Sequence, residues 1–240
     1  LLQLRLFLIL LEPKGMAGTI TALELQEHNR ERVNVYLDGT FAFGLATIEA
    51  ARFRKGQYLT DSEIAALKAH DAVEQAYERA VKYLGQRPRS TGEIRRYLGQ
   101  KKADPAVIDE VITRLESQGY VDDLAFARYW IANRQQFRPR GSRALRFELR
   151  EKGLPPALID EVLAGFDAAD AAYQAALDKA RRFRGLDRRA FREKLGSFLT
   201  RRGFDYGTAR DVIDRLIREF EEADAGAFVP SPNELDDTEE

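Results

Sequence analysis

Between Asp71 and Glu222 the apolar residues recur at helical spacing, and the spacing itself repeats. Shifting the chain by 51 residues carries Arg87-Pro88-Arg89 onto Arg138-Pro139-Arg140, Ile94 onto Leu145 and Leu98 onto Leu149. The same shift carries Ile108-Asp109-Glu110-Val111 onto Ile159-Asp160-Glu161-Val162 without a gap. A shift of 50 carries Leu145 onto Leu195, Leu149 onto Leu199, Gly153 onto Gly203 and Val162 onto Val212. The pattern predicts three copies of one unit, each helix, basic turn, helix, short turn, helix. A period near 50 residues points to a stacked helical array.

The middle copy is the most complete. Asp122 and Asp123 can cap and charge a helix on which Phe126, Tyr129, Trp130 and Asn133 fall at i, i+3, i+4 and i+7. Pro139 and Gly141 interrupt it, and Ser142 is the candidate N-cap of the next helix, with Leu145 and Leu149 facing inward. Lys152-Gly153 closes that helix, a cation and then a glycine. In the other two copies the second and third helices are expected over Glu93–Gly99 and Pro105–Gln118, and over Arg188–Arg202 and Tyr206–Phe220, the last preceded by Ala171–Phe183.

Ahead of the repeats the period changes to two. Ile20–Gln26 is one run, and Val33, Val35, Leu37 and then Phe41, Phe43, Leu45 alternate with polar neighbours. Asp38-Gly39 between the last two is a hairpin signal. A three-stranded antiparallel meander is expected, followed by a short helix over Thr47–Arg54. A longer helix then starts at Thr60, with Glu63 at the capping-box position.

The fold class is therefore mainly α: three tandem three-helix repeats in an elongated, curved array behind a small β meander. The expected divisions are 1–17 a non-native or disordered leader, 18–58 the meander and short helix, 59–120 a linker helix and the first repeat, 121–169 the second, 170–222 the third, and 223–240 a disordered acidic tail. Met16 is the only methionine and the expected start of translation. No apolar run reaches the roughly 18 residues of a membrane-spanning helix.

Charge changes the picture. After Arg218 there are nine acids and no base, so all 38 Lys and Arg precede that point against 30 acids. A basic body suggests an acidic partner. Residues 128–152 hold eight bases and two acids, and residues 179–202 hold ten and two. The candidate binding residues are Arg87, Arg89, Arg134, Arg138, Arg140, Arg143, Arg146, Arg150, Lys152, Arg201 and Arg202. Guanidinium forks suit carboxylates and phosphates alike. Trp130 has the spacing of a core residue more than of a stacking platform.

Catalytic motifs are missing from the sequence. It has no cysteine, no phosphate-cradling glycine loop and no HExxH, and its two histidines, His28 and His70, lack ligand spacing. No enzyme, metal or cofactor is expected. The repeat also resembles a helix-turn-helix module, but the second helices carry no repeated base-reading set. Arg95 and Arg146 match each other, while the third copy has Gly196.

Several residues carry a family resemblance. Arg87-Pro88-Arg89-Ser90, Gly119-Tyr120-Val121-Asp122-Asp123, Phe126-Ala127, Gly141, Glu148-Leu149, Lys152-Gly153 and Arg201-Arg202-Gly203-Phe204 together resemble the RecX family of bacterial recombination regulators. The VNVYLDGTFAFGL meander resembles the extension of its longer members. The resemblance implies a cytoplasmic, monomeric regulator that lodges in the groove of the RecA filament and limits strand exchange, ATP hydrolysis and coprotease activity. Single- or double-stranded DNA is a further implied partner, and the membrane is not. The third copy departs from the pattern, having Arg188-Arg189-Ala190 in place of the Arg-Pro-Arg turn. A helix-turn-helix protein acting on DNA without RecA is the alternative.

Overall fold

A computed structural model describes Met16–Val229. The leader and the chain from Pro230 onward lie outside the described residues. The chain divides into two compact units. One holds the chain up to Tyr83 with Leu98–Thr113, and the other holds Leu84–Tyr97 with everything from Arg114.

The first unit opens with β1 (Gly18–Gln26), β2 (Asn29–Leu37) and β3 (Thr40–Ala46), then α1 (Thr47–Ala50), β4 (Tyr58–Leu59) and α2 (Asp61–Leu84). Its antiparallel sheet runs β3-β2-β1-β4. Asp38 and Gly39 both take positive φ, as the two-residue turn between twisted strands requires. Val33, Val35, Leu37, Phe43 and Leu45 point into a core closed by Ile20, Leu59 and Ile64.

Two expectations need correction here. Phe41 does not join the inward set and is 59% exposed. A register shift between Val35 and Tyr36 pairs Tyr36 with Phe41, and the two rings then meet edge to face at 6.0 Å. The short helix also stops at Ala50 rather than Arg54. The chain is drawn back to β1 by bonds from Ile20 N to Gln57 O and from Gly56 N to Ile20 O, both 2.8 Å, which adds the unforeseen β4.

The capping box forms as the sequence implies. Glu63 N reaches Thr60 Oγ1 at 3.3 Å, and Thr60 N reaches Glu63 Oε2 at 2.8 Å. Thr60→Ala should cost about 1 kcal/mol in urea denaturation of the full chain.

The repeat helices follow: α3 (Thr91–Gln100), α4 (Pro105–Ser117), α5 (Asp123–Phe137), α6 (Ser142–Glu151), α7 (Pro156–Ala164), α8 (Ala168–Arg182), α9 (Arg188–Arg201) and α10 (Tyr206–Ala223). The periodicity reappears in the way the middle helices end. Ala103 N bonds Leu98 O, Leu154 N bonds Leu149 O, and Phe204 N bonds Leu199 O. Lys102, Gly153 and Gly203 supply the positive φ at the same step.

Within the second unit, α5, α6 and α7 enclose Phe126, Ile131, Leu145, Leu149, Leu154 and Ile159. Helices α8, α9 and α10 enclose Phe191, Leu195, Leu199, Phe204, Leu216 and Phe220. The face that α8 turns inward is built from Ala171, Ala172, Ala176 and Ala180, small residues that give the large rings of α9 and α10 their room. The expected disorder from residue 223 does not hold for its first residues. Ala227 is buried and Phe228 meets the Phe191 ring at 5.1 Å, because these two apolar residues complete the third repeat's core.

Candidate binding surface at the repeat joints

Successive repeats in the second unit meet at two joints, each made where the middle helix of one repeat begins and that of the next ends. At the first joint, Ser90 Oγ donates to Lys152 O at 2.5 Å, and Thr91 N and Oγ1 donate to the two Asp123 oxygens at 2.8 and 2.6 Å. A Cβ on Gly92 would lie 2.7 Å from Gly153 Cα, so the backbones touch. At the second joint, Gly141 N donates to Arg202 O at 3.0 Å. A Cβ on Gly141 would overlap the Gly203 carbonyl. This contact also corrects the expected N-cap. The cap residue is Gly141 and Ser142 is the first helical residue, because the neighbouring repeat sets the turn.

Asp122 caps α5, accepting from Leu124 N and Ala125 N at 2.8 and 2.9 Å. Asp123 is committed to Thr91 instead. Neither carboxylate is placed as a metal or acid–base pair, and no group of three or more metal-ligating side chains occurs among the described residues.

The predicted cations sort by partner. Arg87 clasps Glu93 with two bonds of 2.8 and 3.1 Å, and Lys152 adds a third at 2.8 Å. Burial works against the Glu93 charge, but the hydrogen bonds from Arg87 and Lys152 outweigh it and hold the carboxyl at about 2. Arg134 donates to Glu148 at 2.7 Å, beside the Trp130 indole N–H at 2.8 Å. Trp130 is further fixed by Phe126 at 6.0 Å, by Arg134 over its ring at 4.4 Å and by Lys152 at 4.7 Å. It is scaffold, as its spacing implied. Arg89 reaches Gln86 at 3.2 Å, and Arg146 reaches Asp160 at 2.7 Å.

The rest gather at the second joint or on exposed surface. Arg202 donates to Pro139 O at 3.2 Å, and Arg143 to Thr200 O at 3.3 Å. Burial, then the charges of Arg140 and Arg138, push the Arg202 guanidinium below its ordinary value. Arg140 Nε is buried without a hydrogen bond and stands 3.6 Å from Glu148. Arg138, Arg150 and Arg201 are exposed and form no ion pair among the described residues. Ser142, Arg143, Arg146, Gly203 and Phe204 line a cleft of about 350 Å³ at this joint.

The third repeat differs where the sequence said it would. Gly196 stands in the place of Arg146, and the space above it is a groove of about 560 Å³ lined by Arg192, Tyr206 and Ile213 among others.

Sequence reasoning found the arginines but missed the groups that organise them. Ser90, Glu93, Asp123 and Glu148 act across 14 to 62 residues of chain. Only an acid inside an otherwise basic segment hinted at Glu148.

Comparison with known proteins agrees with this architecture. Four family models match: Regulatory protein RecX N-terminal domain over residues 18–60, and the first, second and third RecX three-helix domains over 76–115, 122–163 and 167–213. A "Regulatory protein RecX" of Bacillus licheniformis is 31% identical over 214 residues, covering 87% of this chain and 80% of that protein. One from Chlorobium phaeobacteroides is 36% identical over 143 residues, covering 60% and 94%. A solved structure described as "Crystal structure of regulatory protein RecX" superposes with a TM-score of 0.63 at 29% identity, covering 82% of this chain and 99% of that one. A RecX from Lactobacillus salivarius shares the fold at a TM-score of 0.55 and 21% identity, over 64% and 99%. With all three repeats and the meander matched in order, the chain belongs to the RecX family of regulatory proteins.

Proposed function

We propose that this chain binds the RecA–DNA filament and limits its recombinase, ATPase and coprotease activities. It does so by binding, in the cytoplasm, without catalysing a reaction of its own. The observation that carries this reading is the second joint. Arg138, Arg140 and Arg202 converge there with too few carboxylates to neutralise them, beside exposed Arg143. Such a concentration of guanidinium suits an acidic protein surface or a phosphate backbone, and a RecA–DNA filament offers both. No helix among the described residues is long and apolar enough to cross a membrane.

The test is ATP hydrolysis by RecA on single-stranded DNA, with this chain added below stoichiometry. The intact chain should lower the rate. The Arg138→Ala/Arg140→Ala/Arg143→Ala variant, with folding confirmed by circular dichroism, should need at least about tenfold more protein for the same effect, about 1.4 kcal/mol of lost binding. No inhibition by the intact chain, together with sequence-selective binding to naked duplex, would replace this reading with that of a helix-turn-helix DNA-binding protein.

A further inference from the structure

The two joints are built on one plan. The shifts that align the repeats place Ser90 on Gly141 and Lys152 on Arg202, and each pair is joined by a hydrogen bond to the second residue's carbonyl, given by the Ser90 hydroxyl in one joint and by the Gly141 backbone N–H in the other. They also place Arg87 on Arg138 and Glu93 on Ala144. In the first joint Glu93 lies between its two cations, bonding Arg87 and Lys152 at 2.8 Å each. In the second joint both cations are kept, as Arg138 and Arg202, and the carboxylate between them is cut back to a methyl group. Neither cation finds another acid. Arg138 and Arg202 form no ion pair among the described residues, and Arg202 is left with a backbone carbonyl and the Phe198 ring at 4.9 Å.

We propose that the second joint is a receptor for an acidic side chain of a partner protein, which occupies the place that Glu93 holds in the first. A carboxylate is favoured because the first joint shows that group satisfying a pair of cations in this setting. Guanidinium forks bind it with two parallel bonds. Arg140, 3.6 Å from Glu148 and with a buried, unbonded Nε, adds a third cation near Arg202. The proposal deepens the filament reading, resting on it only for which protein supplies the acid.

The test restores the missing group. Ala144→Glu in the full chain should fill the receptor from within. Its melting temperature should rise above that of the unmodified chain, and its affinity for a fluorescent hexaglutamate peptide at low salt should fall at least tenfold. Affinity for a single-stranded oligothymidylate of equal charge should stay within twofold. Unchanged peptide binding would overturn the proposal. Loss of oligonucleotide binding with peptide binding kept would overturn it too, and would assign the joint to nucleic acid. If Ala144→Glu does not fold, Arg138→Ala, at an exposed position, should lose peptide binding by a similar factor, and retention there counts equally against the proposal. A variant that loses the peptide but still inhibits RecA at the original ratio would uphold the receptor and detach it from the filament reading.

Discussion

Replacing Gly141 by alanine should lower the stability of the full chain by at least about 2 kcal/mol, the upper part of the range for forcing a group into a packed interior. The added methyl would collide with the Gly203 carbonyl and the Phe204 amide, which are backbone atoms of the next repeat. A flexible side chain swings aside, whereas a backbone held by its own helix does not. The bond from Gly141 N to Arg202 O would break with it. Guanidinium denaturation followed by circular dichroism reads the loss. Gly99→Ala is the matched control. Gly99 has nothing within 4 Å of a new Cβ and lies in the last turn of α3, so this change should add about 0.5–1 kcal/mol. A loss at Gly99 similar to that at Gly141 would show that the close approach is not the cause.

The second large effect belongs to Glu93. Its side chain is 8% exposed, and removing it leaves Arg87 and Lys152 facing each other at the joint. Glu93→Ala should cost about 3 kcal/mol, as expected when one member of a mostly buried ion cluster is deleted. The same group writes a pH signature. Its carboxyl is held at about 2 in the folded chain against an ordinary 4.5. The unfolded chain therefore takes up the proton first as pH falls. The stabilisation is complete above about pH 4.5 and is lost as pH drops toward 2, with a slope of up to about 1.4 kcal/mol per pH unit from this one group. Urea denaturation at a series of pH values should show that slope in the unmodified chain. In Glu93→Gln it should be reduced by one proton. Equal slopes would mean that Glu93 is ordinary in the folded state.

What the sequence disclosed was local or periodic. The hairpin at Asp38-Gly39, the capping box at Thr60 and the end of α6 at Lys152-Gly153 are set by residues a few positions apart, so their chemistry can be read in line. The repeats were legible because the same inward residues return every 50 or 51 positions. The joints were not. Thr91 meets Asp123, and Ser90 meets Lys152, through folding of the chain, and nothing near Asp123 distinguishes a carboxylate that caps its own helix from one that holds another. Phe41 failed for a related reason. A bulge in β3, which leaves Ala42 unpaired between Phe41 and Phe43, resets the phase of the strand pair, and simple alternation carries no record of it. The basic surface was half legible. Composition located the arginines, but only the fold separates Arg134 and Arg87, held by Glu148 and Glu93, from Arg138 and Arg202, which are not.

The starts of the middle helices have one more meaning. Ser90 and Gly141 lean on the following repeat for a hydrogen bond, whereas the third repeat begins α9 on Asp187, whose side chain bonds Ala190 N at 2.9 Å and needs no neighbour. At the receiving position, Gly153 and Gly203 are bare enough for a neighbour to touch, and Lys102 of the first repeat is not. The row thus carries a local grammar of opening and closing units. Lengthening it by duplication would demand a bare residue at each new acceptor and, at each new donor, a start that can give a hydrogen bond across the joint. Copy number in such a chain can change only by whole units that obey both conditions at once.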